Sequence, residues 1–309
     1  MPLRPDVQMM LEGMAAVGAP PIEQQTVEEA RAGTRMLAMF GGDLIEVANV
    51  EDITIPVGDA SVGARVYNPV GDGPFPVVVF FHGGGWVVCD LDSHDNVCRK
   101  ISQEASVVVV SVEYRLAPEY RFPTPSNDCY AATAWVVANA ASLNGDGSRV
   151  AVCGDSAGGN LSAVVTQMAR ANGTPAISFA ALIYPATDFT ATGGSMEENG
   201  KGYFLERTGM DWFGAHYLDE AQKTDPHASP LLHDDLTNLP PCFIATGEFD
   251  PLRDQGEAYG EALRANGCTV EIKRYDGLIH GVINMMGPVA GGAEMVSDVA
   301  SRIKLALHA

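Results

Sequence analysis

The chain has 309 residues, 39 acidic against 19 basic, for a formal net charge of −20. A surface of that sign repels a phosphate backbone or an anionic lipid face, which excludes nucleic acid as a partner. With 46% hydrophobic and 19% charged residues the composition is globular, neither disordered nor fibrous, and the length suits one large domain with an appendage.

At the N-terminus Asp6 and Glu12 interrupt the apolar residues, so no secretory signal is expected. No run approaches the roughly eighteen apolar residues of a membrane span. Six cysteines, at 89, 98, 129, 153, 242 and 268, form no Cys-x-x-Cys pair. They read as reduced thiols in a cytoplasmic protein, with no zinc site. Residues 1–48 carry amphipathic stretches with Met9, Met10, Met14, Met36 and Met39, expected to be the N-terminal part of a helical cap.

From about residue 50, short β-branched runs alternate with longer helical stretches, the pattern of parallel strands joined by crossover helices. Eight strands are expected: Asp52–Pro56, Ala60–Tyr67, Val77–Phe81, Val107–Glu113, Arg149–Cys153, Ile177–Tyr184, Cys242–Thr246 and Val270–Tyr275. Helices are expected at Asn96–Glu104, Ser126–Ala141, Gly159–Ala171, Asp254–Asn266 and Glu294–Leu307. After Tyr184 the chain departs for roughly forty residues, where ordinary loops take about 4 to 6. Tyr203, Phe204, Leu205, Trp212, Phe213 and Tyr217 make that excursion too apolar for a solvated loop. The expected division is therefore cap at 1–48, core at 49–187, cap insertion at 188–226 and core again at 227–309.

Two glycine-rich motifs carry chemistry. Arg149–Cys153 leads into Gly154-Asp155-Ser156-Ala157-Gly158-Gly159 and then a helix. Strand, sharp turn and helix in that order form a nucleophile elbow, with small residues on either side of a projecting serine. The helix N-terminus beneath Ser156 favours developing negative charge. After Val77–Phe81 comes His82-Gly83-Gly84-Gly85-Trp86, bare backbone at the carboxyl end of a strand, where ligands bind in such sheets. The amides of Gly83, Gly84 and Ala157 are the expected oxyanion donors. The loop lacks the Lys-Ser/Thr ending and the Gly-x-Gly-x-x-Gly spacing of phosphate cradles. His82 reads as an anchor of its own loop rather than a proton carrier.

Past Cys242–Thr246 lie Glu248, Asp250 and Asp254. Asp250, in the loop before a proline, is the chosen acid, Glu248 is its main competitor, and Asp254 reads as a helix-start residue. The following strand empties into Asp276-Gly277-Leu278-Ile279-His280-Gly281, making His280 the base and Asp276 a weaker acid candidate. The order Ser156, Asp250, His280 is nucleophile, acid, base, as this scaffold requires. His94, His216, His227, His233 and His308 stand at no metal-ligand spacing, and neither metal nor cofactor is expected. Trp86, Phe204, Leu205, Trp212, Ile279 and Val282 are guesses for pocket walls.

Through His82–Trp86, Gly154–Gly159, Asp250–Asp254 and His280 the sequence resembles the hormone-sensitive-lipase family of α/β-hydrolases, the bacterial family IV carboxylesterases. The match spans about residues 77–281, and Tyr114-Arg115-Leu116-Ala117-Pro118-Glu119 adds a segment that looks structural in that family. The resemblance implies a cap built from the N-terminal helices and the insertion, preference for short or medium acyl chains, and a homodimer formed through the last strand. The expected function is a serine carboxylesterase acting on a small-molecule ester. The alternatives are an amidase or peptidase on the same scaffold, and a non-catalytic ligand-binding protein of the same fold.

Overall fold

The computed structural model describes residues 2–309. Its centre is one eight-stranded sheet in the order β1-β2-β4-β3-β5-β6-β7-β8. The strands are β1 Asn49–Val57, β2 Ala60–Asn68, β3 Phe75–Phe81, β4 Val108–Glu113, β5 Gly145–Asp155, β6 Phe179–Ile183, β7 Cys242–Phe249 and β8 Val270–Ile279. β1 and β2 form a hairpin across a two-residue turn, and β2 runs antiparallel to β4. From β4 to β8 every pairing is parallel, so the loops leaving those strands gather along one edge. The direction of winding reverses between β3 and β5, and a crevice opens at such a reversal.

β3 is buried along its whole length, as expected of a central strand covered on both faces. Its alternate residues feed two separate cores. Val77, Val79 and Phe81 pack with Cys129 and Val136 of α4 (Thr124–Asn139), Leu161 and Val165 of α5 (Ala157–Asn172), and Leu263 of α8 (Arg253–Ala265). Val78 and Phe80 pack with Val97 and Ile101 of α3 (Asp95–Ala105) and with Val296, Val299 and Ile303 of α9 (Ala290–Leu307).

Helix α1 (Pro5–Val17) is moored near β8: the Arg4 amide donates to Gly277 O at 3.1 Å, and Asp6 accepts the Ala290 amide at 3.0 Å. Helix α2 (Val27–Arg35) opens with a capping box between Thr26 and Glu29. Its Arg31 donates to Val87 O, Ala117 O and the Glu119 carboxylate. The long excursion after β6 holds two helices, α6 (Ser195–Glu198) and α7 (Arg207–Tyr217). Among the described residues no helix is long and apolar enough to cross a membrane.

Several boundaries differ from the sequence reading, β5 among them, which starts at Gly145 and not at Arg149. α9 starts at Ala290, four residues earlier than the pattern suggested. β7 continues through Phe249 and β8 through Ile279, beyond Thr246 and Tyr275. Gly247, Asp276 and Gly277 read as loop residues. Gly247 pairs with Tyr275, whereas Asp276 and Gly277 lie in the irregularity where β7 shifts register, beyond which Phe249 pairs with Ile279.

Candidate active site

The pairing of Phe249 with Ile279 makes Asp250 and His280 the first residues beyond two neighbouring strand ends. Asp250 is fully buried. One carboxylate oxygen accepts the Leu252 amide at 2.7 Å, and the other lies 2.8 Å from His280 Nδ1. A carboxylate only accepts, so Nδ1 carries the proton, and Nε2 presents its lone pair to Ser156 Oγ at 2.9 Å. The Tyr184 ring packs against the imidazole, centroids 4.5 Å apart.

Ser156 sits between β5 and α5 with φ 54° and ψ −115°, a backbone region that costs a non-glycine residue of order 1–3 kcal/mol. The strain is held by packing and by the Ser156 amide, which donates to Ile183 O at 2.8 Å. Close approach explains the flanking glycine: a Cβ on Gly158 would stand 1.8 Å from Phe81 O. The hydroxyl therefore projects from a turn that no larger residue could form.

The other acid candidates are engaged elsewhere. Glu248 Oε2 accepts the Gly277 amide at 2.8 Å. Asp254 accepts the Ser195 amide at 2.7 Å and pairs with Arg253. Asp276 is exposed, and its backbone carbonyl accepts from Arg4 Nε. The excursion after β6 is pegged to the acid loop, since Asn199 Nδ2 donates to Asp250 O and Ser195 Oγ to Pro251 O.

The glycine loop lies beside the elbow, with one correction to the expected donors. The Gly83 amide donates to Asp155 Oδ1 at 2.8 Å and is not free for a substrate oxygen. Gly84, Gly85 and Ala157 have amides that meet no acceptor among the described residues, the last because the first turn of a helix leaves its donors unpaired. The loop is braced from behind: Tyr114 Oη donates to His82 O, the Ala117 amide donates to Trp86 O, and Arg115 pairs with Asp128. His82 stacks on Tyr114 and gives its Nδ1 proton to Gly83 O at 2.7 Å. Burial, with His94 nearby, lowers its pKa to about 4, so it stays neutral.

The guessed pocket walls divide. Phe204 reaches the site, its ring 2.7 Å from where a Cβ on Gly281 would stand, and Leu205 follows it, half-buried. Trp212 packs against Phe213 and His216 on α7. Phe213, absent from the guess, lies against Gly85. Trp86 is buried in a stack with Tyr217, 4.4 Å between centroids, and anchors the loop to α7 rather than facing a cavity. Ile279 and Val282 are corrections: both are fully buried in the core under α9, because the chain turns at His280 and sends its neighbours inward.

Sequence reasoning passed over Asp155 and His94. Asp155 is buried, yet its carboxyl lies below its ordinary pKa: burial pushes it up, and His94, the Gly83 amide and His280 together outweigh that. A charged residue ending the apolar run Val150–Cys153 was the available signal, since a buried carboxylate demands partners.

An aspartate, a histidine and a serine hydrogen-bonded in line, with a glycine loop whose amides are unpaired, form the arrangement found in serine hydrolases of the α/β-hydrolase type. A profile of the α/β-hydrolase fold family matches residues 78–284. The chain is 41% identical to carboxylic ester hydrolase LipN of Mycobacterium tuberculosis, over 97% of this chain and 83% of that one. It is 36% identical to an ethyl acetate hydrolase of Pseudomonas putida, over 92% and 93%. A hyperthermophilic esterase from the archaeon Pyrobaculum calidifontis superposes with a TM-score of 0.94 at 39% identity, covering 99% of each chain. The chain belongs to the hormone-sensitive-lipase family of α/β hydrolases.

Proposed function

We propose that this protein is a serine carboxylesterase that hydrolyses short- to medium-chain acyl esters through an acyl-enzyme, with Ser156 as nucleophile, His280 as base and Asp250 as the acid that orients it. The observation that carries the reading is the continuous line from Asp250 through His280 to Ser156 at 2.8 and 2.9 Å. The names of the relatives, all ester hydrolases, support it.

Ser156 Oγ attacks the ester carbonyl as its proton passes to His280 Nε2, and Asp250 stabilises the imidazolium. The carbonyl oxygen becomes an oxyanion held by the amides of Gly84, Gly85 and Ala157, each worth about 3 kcal/mol in the transition state. His280 returns the proton to the departing alcohol. Water, deprotonated by the same imidazole, then attacks the acyl-serine and releases the carboxylic acid. Phe204, Leu205, Trp212 and Phe213 form the apolar wall, and segments 1–48 and 188–226 act together as the cap over the core at 49–187 and 227–309. Six unpaired thiols support a cytoplasmic setting, and the open edge of β8 supports a homodimer joined there.

The test is turnover of p-nitrophenyl esters from acetate to palmitate by the wild type and by Ser156→Ala. Turnover greatest on short and medium chains and abolished by the substitution is the expected result. A folded wild type no faster than Ser156→Ala on every ester overturns the reading.

A further inference from the structure

The turn at Ser156 and the glycine loop come from strands far apart in sequence, and the Asp155 side chain joins them. Asp155 precedes Ser156 and takes the amide of Gly83 on its Oδ1. A buried carboxylate holds such a position only while its charge is met. The group that meets it comes from a third segment: His94 Nε2 stands 3.1 Å from the same Oδ1, off the line of an ideal hydrogen bond. The His94 ring is itself fixed. Ser93 Oγ lies 3.0 Å from its Nδ1, and the Ser93 carbonyl accepts from Asn284 Nδ2 at 2.9 Å. Phe80 and His82 wall the ring, centroids 6.0 and 5.7 Å away. The histidine is buried and touches neither Ser156 nor the unpaired amides.

We propose that His94 is a positioning residue for ester hydrolysis: it holds Asp155, and through Asp155 it sets the glycine loop at the distance from Ser156 that the oxyanion needs. The inference rests on the hydrolase reading above. Because the loop amides act on the oxyanion and not on the ground-state ester, loosening them lowers kcat and leaves KM nearly unchanged.

The experiment compares the wild type with His94→Leu, which fills the space without a donor, and His94→Gln, which returns an N–H near the place of Nε2. With p-nitrophenyl acetate, His94→Leu is expected to lose roughly tenfold to hundredfold in kcat, and His94→Gln to recover much of it. On an Asp155→Asn background His94→Leu should add little, since the path through Asp155 is already cut. Should His94→Leu not fold, His94→Asn replaces it, one methylene too short to reach Asp155. Amide exchange in Ser156→Ala, read by NMR without substrate, should quicken at Gly83 when His94 is replaced. A wild-type kcat in a folded His94→Leu, or a full additional loss on the Asp155→Asn background, overturns the inference and leaves the esterase standing. A wild type inert to all esters removes the hydrolase reading, and the catalytic role of His94 falls with it.

Discussion

Replacing Asp250 by Asn tests the acid by forcing one group to serve two donors. In the native site Oδ1 accepts the Leu252 amide at 2.7 Å and Oδ2 the His280 Nδ1 proton at 2.8 Å. Asparagine has one accepting atom. The Leu252 proton cannot leave its nitrogen, so the amide oxygen stays there and the NH₂ group turns to His280. The imidazole answers by moving its own proton to Nε2, which then has no lone pair for Ser156. The loss expected for a wrong tautomer in such a triad is about 10⁴ in kcat, or about 5 kcal/mol of barrier. KM should hardly move, because ground-state contacts with the ester are untouched. Stopped-flow and steady-state hydrolysis of p-nitrophenyl acetate measure both parameters, with Glu248→Gln as the comparison, since that carboxylate faces Gly277. If Asp250→Asn keeps activity within tenfold of the wild type, or Glu248→Gln loses more, the assignment of the acid is wrong.

Two further outcomes follow from the glycine loop. Gly84 has φ 110°, and a Cβ there would stand 2.2 Å from the carbonyl oxygen of Val88. Because backbone forms the obstacle, Gly84→Ala should lower kcat on the order of hundredfold in the same assay; unchanged kcat would remove Gly84 from the oxyanion site. His82 ties stability to pH. Unfolded, it takes a proton near 6.5, whereas in the fold it refuses one down to about 4, chiefly through burial. The unfolded state thus binds more protons between those values, and this contribution, present above 6.5, is lost as pH falls toward 4. It amounts to about 3 kcal/mol. Urea denaturation across that range should show the slope, and His82→Asn should flatten it.

The architecture was largely legible because apolar runs between turn residues mark buried parallel strands, and each of the eight expected runs overlaps a strand of the sheet. The order of Ser156, Asp250 and His280 was legible because each follows a strand on the same edge. The proposed oxyanion donors were not. An amide carries no side-chain signature, and only the bond from Gly83 to Asp155 tells which glycines remain available. Ile279 and Val282 misled for a related reason: composition beside a catalytic histidine does not say which way a residue faces once the strand ends. His94 had no local signal at all, since its partner lies sixty-one positions away in the chain.

The placement of the triad also bears on synthesis. A ribosome delivers the turn at residue 156 long before the excursion, the proposed acid at 250 and the proposed base at 280. A domain folds as a unit, and β7 and β8 fill the last two places in the sheet. The serine is thus made while the groups proposed to remove its proton are still absent. On the proposed triad an unfinished chain carries an inert hydroxyl, and the power to acylate itself arrives only with the final strand.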